Sequence, residues 1–179
     1  MSERSVEFRP LDALEVLIGQ RVRFVVIGGF GAQLLGAPLV TQDLDVCYSR
    51  DDENLERLAA ALHDLHASLR GAPSGVPFKL DAKTLKAGNH FTFLTDAGAL
   101  DILGSPSGAR GGYEELLPAA VEVALDAYRV KVASIDDLIR MKRAADRPKD
   151  RAVLEELGAL RDEIDAQAAD ERKRRRKKS

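Results

Sequence analysis

The chain has 179 residues, of which 45% are hydrophobic and 31% are charged, and its formal net charge is −2. This length suits one domain with a sizeable core, and this composition excludes a wholly disordered chain. Cys47 is the only cysteine, which excludes a disulfide framework and a cysteine-based zinc site and favours a reducing compartment.

The sequence contains no pattern typical of a secreted or membrane protein. The first ten residues, MSERSVEFRP, lack the apolar segment of a signal peptide, and no apolar run approaches the ~20 residues of a membrane span. We therefore expect a cytoplasmic protein.

The last nine residues carry seven basic side chains and one acid, which leaves a net charge of −8 on the rest of the chain. We expect residues 166–179 to be a disordered basic tail, in which Arg172–Lys178 offer a contact for RNA or protein.

Hydrophobic periodicity divides the chain into helices and strands. In chain order the predicted elements are a helix at 10–18, a buried strand within 22–29, a short helix at 30–36, a strand at 43–48, a helix at 51–69, a hairpin within 90–103, strands near 120–124 and 129–133, and a helical hairpin at 134–165. This order predicts an α/β (α+β) fold over residues 1–165, with a mixed sheet flanked by helices.

A glycine-rich turn, GGFG, follows the first predicted strand and matches the start of several phosphate-binding designs. A dinucleotide-binding fingerprint would need a third glycine where Leu34 stands. A P-loop would need a lysine where Ala37 stands. A third design requires only Gly28 and Gly29, whose backbone N–H groups can cradle phosphates, and two acids on the next strand.

Asp43 and Asp45 provide those two acids. Alternate residues of a strand point to the same side, so both carboxylates share one face while Leu44 enters the core. Two such carboxylates repel each other unless a cation lies between them, which makes the pair a natural magnesium ligand set. Asp101, between Leu100 and Ile102 on a later strand, supplies a third acid. Three acids around two magnesium ions suit in-line phosphoryl transfer.

The runs VIGGFGAQLLGAPLVTQDLDV, LDIL and SIDDLIRMKRAADRPKDRAVLEEL resemble the nucleotidyltransferase superfamily. They are most similar to the AbiEii-like group, which includes many toxin–antitoxin components. The resemblance covers roughly residues 20–160. It implies a nucleotidyltransferase-like palm that uses Mg²⁺, with two ions expected, and a nucleoside triphosphate (NTP) as substrate. It leaves the acceptor open among RNA, protein and small molecules.

The resemblance also implies roles for individual residues. Asp43, Asp45 and Asp101 would be catalytic residues and metal ligands, and Asp101 could alternatively act as the general base. Gly28 and Gly29 would line the nucleotide phosphates. The threonine of the T-x-D-x-D motif, Thr41, joins this nucleotide-binding set.

Two departures from the family pattern leave a second interpretation open. Leu39 stands where relatives often carry an arginine two residues before the threonine, so one cation that faces phosphate is missing. A second glycine also replaces the serine of other branches in the phosphate turn. The alternative is a catalytically silent module with this fold, which binds a partner protein or nucleic acid.

The C-terminal helical hairpin contains two charged residues on its apolar stripes. Lys142 lies three residues after Ile139, and Asp150 lies seven residues before Leu157. Both should therefore face inward near the turn between the helices. A structural interpretation is a partly buried salt bridge. A functional interpretation places Lys142 at the nucleotide or at the acceptor, and Lys149 is a weaker candidate for the same role.

Overall fold

The computed structural model describes residues 6–72, 77–148 and 150–178. The helices are α1 (Pro10–Gly19), α2 (Gly28–Leu34), α3 (Asp52–Asp64), α4 (Ala82–Ala87), α5 (Gly112–Leu116), α6 (Ile135–Ala145) and α7 (Asp150–Lys177). The strands are β1 (Phe24–Ile27), β2 (Asp43–Tyr48), β3 (Ser68–Leu69), β4 (His90–Thr95), β5 (Gly98–Leu103), β6 (Val121–Leu125) and β7 (Tyr128–Val132).

All seven strands form one mixed sheet in the order β3-β4-β5-β2-β1-β7-β6. The strand β2 is antiparallel to β1 and parallel to β5, and β1 is parallel to β7. The pairs β4–β5 and β6–β7 are antiparallel hairpins. This sheet with its flanking helices confirms the predicted fold class.

The core lies on both faces of the sheet because strand side chains alternate. One face buries Val26, Val46 and Tyr48 against α1 and α3. The opposite face buries Val25, Ile27 and other side chains against α6 and α7. Asp43 and Asp45 have the same parity as Cys47, so they belong to the face that α6 and α7 cover. The candidate acids therefore lie where this second layer stops covering the sheet.

Two boundaries differ from the sequence-based prediction. The third helix ends at Asp64, and His66 then adopts a left-handed backbone with φ of 49°. This turn releases Leu69 from the helix, and it pairs with Phe93 as part of β3. At the glycine-rich turn, α2 begins at Gly28 rather than after Gly29.

The prediction of a disordered tail over 166–179 differs from the structure, in which α7 continues to Lys177. Alanine, glutamate, lysine and arginine are all good helix formers, so the segment extends the helix although it buries almost nothing. The side chains of Arg172–Lys178 are exposed. No helix in the three described ranges has the length and apolar character needed to cross a bilayer.

Candidate active site

The sheet register brings the three predicted acids together. Parallel pairing of β2 with β5 sets Asp45 directly beside Asp101. Asp43 lies two residues earlier on the same face of β2, and the buried Leu44 separates the two acids. All three side chains line one cleft of about 480 Å³. The structure thus places Asp101 directly beside Asp45, which lies 56 positions earlier in the chain.

The predicted nucleotide-binding residues line the same cleft, namely Gly28, Gly29, Thr41 and Lys142. The hydroxyl of Thr41 donates a hydrogen bond to Oδ1 of Asp43 at 2.9 Å, which fixes the orientation of that carboxylate. A Cβ atom at Gly29 would lie 3.1 Å from the Cβ of Thr41. The absence of a side chain therefore allows the turn to approach the strand closely.

Gly28 is required for two independent reasons. Its φ is +67°, a backbone conformation that L-residues rarely adopt, and a Cβ there would lie 2.2 Å from Oδ2 of Asp45. We expect Gly28→Ala to lower the free energy of unfolding by about 1–3 kcal/mol, because it combines backbone strain with displacement of the carboxylate. Urea denaturation measures this change.

Gly158→Ala is the matched control. A Cβ at Gly158 meets no atom within 4 Å, and the residue lies inside α7. Alanine there should leave stability unchanged or raise it by up to about 1 kcal/mol, since alanine is the better helix former. Equal losses in both variants would contradict the special requirement at Gly28.

The electrostatics of the cleft centre on Asp45. Burial, followed by the neighbouring charges of Asp43 and Asp101, raises the pKa of Asp45 from 3.8 to about 7. The positive charges of Lys142 and Arg147 act in the opposite direction. The simultaneous ionisation of three carboxylates in one partly desolvated cleft is unfavourable, so the site favours a bound cation.

The cleft offers carboxylate oxygens, the type of ligand that magnesium prefers, but the three acids do not by themselves form a metal-binding group. In the described part of the chain, no group of three or more His, Cys, Asp and Glu side chains is close enough to hold a metal ion by itself. Oδ1 of Asp101 is buried and has no hydrogen-bond partner among the described residues. Magnesium commonly takes one or two carboxylates and completes its shell with water and phosphate oxygens. Asp43 and Asp45 suit that pattern, with Asp101 adjacent.

Lys142 and Asp150 both face inward, as predicted. Nζ of Lys142 lies 3.4 Å from Oδ1 of Asp150, whose side chain is only 5% exposed. Both residues line the cleft. The salt bridge therefore fastens α6 to α7 and also holds an ammonium group within electrostatic reach of Asp45. Lys149, the weaker candidate, lies outside the described residues.

The sequence analysis missed three nitrogen-bearing side chains near the acids. Arg147, in the turn between α6 and α7, lines the cleft together with Leu39. Nη2 of Arg70 lies 4.0 Å from Oδ1 of Asp101, and Nε2 of His90 lies 3.9 Å from its Oδ2. No periodicity marks these residues. The only available signal was the position of Arg147 between Lys142 and Asp150.

A mixed sheet in which a Gly-Gly turn precedes a strand with D-x-D, beside a strand with a third acid, is the nucleotidyltransferase fold. The lincomycin-bound structure of the lincosamide antibiotic adenylyltransferase LnuA is similar over 84% of this chain and 95% of that chain, with a TM-score of 0.57 and 14% identity. The antibiotic-resistance factor ANT(2'')-Ia is similar over 93% and 97% of the two chains, with a TM-score of 0.49 and 12% identity. At such low identity the likeness to LnuA shows the fold alone. No protein-family model and no curated protein matches the chain.

Proposed function

We propose that this protein is a magnesium-dependent nucleotidyltransferase that moves a nucleoside monophosphate from an NTP to a hydroxyl of an acceptor. The observation that most directly supports this activity is that the Gly28–Gly29 turn lines one cleft together with Asp43, Asp45 and Asp101. The fold, which the chain shares with an adenylyltransferase, supports the same activity.

In the proposed reaction the acceptor oxygen forms a bond to the α-phosphorus, and the bond from that phosphorus to the bridging oxygen of pyrophosphate breaks. Asp43 and Asp45 would hold magnesium, which neutralises phosphate charge and polarises the reacting phosphoryl group. Asp101 takes the proton of the acceptor hydroxyl. The turn at Gly28–Gly29 admits the phosphates, because no side chain stands in their path.

Cations for the triphosphate come from the hairpin of α6 and α7. Lys142 and Arg147 both lower the pKa of Asp45 through their charge. Both therefore lie within electrostatic reach of Asp43, Asp45 and Asp101, which we call the acid row. Arg147 lines the same cleft as Leu39, which occupies the position where relatives often carry an arginine. We assign to Arg147 the phosphate-facing charge that Leu39 does not provide.

Calorimetric titration with ATP, with and without Mg²⁺, tests this function. Wild type should bind ATP only with Mg²⁺, and Asp43→Ala/Asp45→Ala should lose that binding, because the double variant removes both proposed ligands. Asp136→Ala/Asp162→Ala is the matched control, since those side chains are 76% and 78% exposed. If folded wild type binds neither ATP nor GTP, CTP or UTP in the same titration, the protein is the silent module, for which Leu39 is the main sequence argument.

The proposal extends to the setting of the enzyme. Membership of the AbiEii-like toxin–antitoxin group rests on the sequence motifs. Contact with RNA or protein through the end of α7 is supported by its exposed basic side chains, Arg172–Lys178. A positive segment on an otherwise acidic chain attracts polyanions, and its effect weakens with added salt.

A further inference from the structure

The sheet face beside Asp101 is polar and partly open. Asp101 is paired with Thr92 across the β4–β5 hairpin, and His90 lies two residues from Thr92 on the same face. These three side chains are half-buried or exposed, whereas Ile102 and Phe93, which point to the opposite face, are fully buried. Asp101 and His90 both line the cleft, which therefore reaches from β5 to β4, and Thr92 and Arg70 lie beside it.

Two nitrogen-bearing side chains border this part of the sheet. Nη2 of Arg70, next to the end of β3, lies 4.0 Å from Asp101, and Nε2 of His90 lies 3.9 Å from it. Both distances exceed a hydrogen bond, and Oδ1 of Asp101 has no hydrogen-bond partner in the described ranges. The side chains of Arg70 and His90 are 48% and 50% exposed. Both groups can thus reach a ligand without breaking a hydrogen bond to Asp101.

Two sets of nitrogen-bearing side chains lie on different sides of the acid row. Lys142 and Arg147 come from the hairpin of α6 and α7 and act on Asp45. Arg70 and His90 come from the β3–β4 side of the sheet and lie next to Asp101. The first set suits the triphosphate. The second set lies beside the acid that takes the acceptor proton, so it faces the acceptor rather than the nucleotide.

We infer that Arg70 and His90 form an acceptor subsite for an anionic group close to the reacting hydroxyl; this inference rests on the proposed nucleotide transfer. A guanidinium fork binds phosphate or carboxylate oxygens through paired hydrogen bonds, and an imidazole N–H adds another donor. The same guanidinium repels a polycationic acceptor such as an aminoglycoside. The substrate class is therefore a phosphorylated hydroxyl compound, either a free sugar phosphate or the terminal nucleotide of an RNA.

Transfer of label from α-³²P-ATP in Mg²⁺ tests this specificity. The acceptors are ribose 5-phosphate, a short RNA oligonucleotide with a free 3′ hydroxyl, unphosphorylated ribose and kanamycin. We expect labelling of ribose 5-phosphate or of the RNA, and the labelled member identifies the source of the phosphate. In Arg70→Gln/His90→Gln the KM for that acceptor should rise at least 10-fold, while the Kd for Mg-ATP stays within about twofold of wild type.

Arg129→Gln is the control for loss of a positive charge, because Arg129 is 71% exposed on β7 at the other end of the sheet. Labelling of kanamycin or ribose at the same rate as the phosphorylated acceptors would overturn the inference. So would an unchanged KM in the double variant. Either result can accompany normal Mg-ATP binding, in which case the proposed transferase function still stands.

Binding decides the question if no acceptor is labelled. The imidazole signals of His90 are followed by NMR during titration with ribose 5-phosphate and then with the RNA, in the presence of Mg²⁺ and a non-hydrolysable ATP analogue. A shift of these signals that is lost in Arg70→Gln supports the subsite. No shift with either probe overturns it. A shift without any binding of the ATP analogue would show an anion site at Arg70 and His90 but reject the nucleotide-transfer proposal, and with it the role of that site as an acceptor subsite.

Discussion

Asp45→Asn should reduce nucleotide transfer about 1,000-fold, equivalent to about 4 kcal/mol of transition-state stabilisation. Asparagine keeps the shape of Asp45 but removes one of the two adjacent charges proposed to hold magnesium. The measurement is the rate of pyrophosphate release at saturating Mg-ATP with a working acceptor. Asp162→Asn, at a side chain 78% exposed, should retain the wild-type rate.

The same substitution should stabilise the metal-free protein above neutral pH. The pKa of Asp45 is raised to about 7 in the folded state by burial and by Asp43 and Asp101, compared with 3.8 as its ordinary value. Between these two pH values the folded state binds more protons than the unfolded state, so stability falls as pH rises from about 4 to 7 and then levels off. The asparagine of the variant carries no charge at any of these pH values, so this fall would disappear.

Chemical denaturation in EDTA at pH 5 and pH 8 measures that difference. The free energy of unfolding of wild type should fall by a few kcal/mol from pH 5 to pH 8 because of Asp45. This contribution should be absent from Asp45→Asn. Addition of Mg²⁺ at pH 8 should stabilise wild type and leave the variant unchanged. Parallel pH profiles of stability in wild type and variant would show that the pKa of Asp45 is not raised in the folded state.

Lys142→Met should lower the free energy of unfolding by about 3–5 kcal/mol. The substitution leaves the carboxylate of Asp150, only 5% exposed, buried without its cation. Oδ2 of Asp150 already has no hydrogen-bond partner among the described residues, so the N-terminal dipole of α7 would offset only part of the loss. Thermal or urea denaturation measures the effect.

The double variant Lys142→Met/Asp150→Leu separates structure from function. An apolar pair of similar size should recover most of the lost stability, because it removes both buried charges. Transfer activity should not recover, since the ammonium near the acid row is still missing. Arg129→Ala, which breaks an exposed pair with Glu122, should cost no more than about 1 kcal/mol. Recovery of both stability and activity in the double variant would reduce Lys142 to a structural role.

The arrangement of several residues of the candidate site was predictable from local pattern. The strand period of two is a property of the backbone, so it determines that Asp43 and Asp45 share a face whatever surrounds them. The glycine turn was also visible in the sequence, but the positive φ of Gly28 and its close approach to Asp45 emerged only in the fold. The inward stripes of the hairpin predicted the contact between Lys142 and Asp150 for the same reason.

The boundaries predicted from periodicity failed where tertiary pairing or exposure decided the outcome. Leu69 fits the helical stripe of α3, but the chain turns at His66 and Leu69 gains a strand partner in Phe93. The basic segment after residue 165 has the charge density of a disordered tail. Its good helix formers instead extend α7, which is already anchored through the buried Leu157 and Leu160.

By itself, the sequence determined the pair of acids, the glycine turn and the order of the longer helices and strands, because each depends on neighbours a few positions apart. The short elements β3, α4 and α5 were not predicted. Only the tertiary structure decided which nitrogen-bearing side chains lie near those acids. Arg70, His90 and Arg147 come from three separate segments, and their positions depend on strand order and helix packing. Coulomb interactions depend on distance in space and not on separation along the chain, so the electrostatics of the cleft, and with it the proposed acceptor, emerge only from the fold.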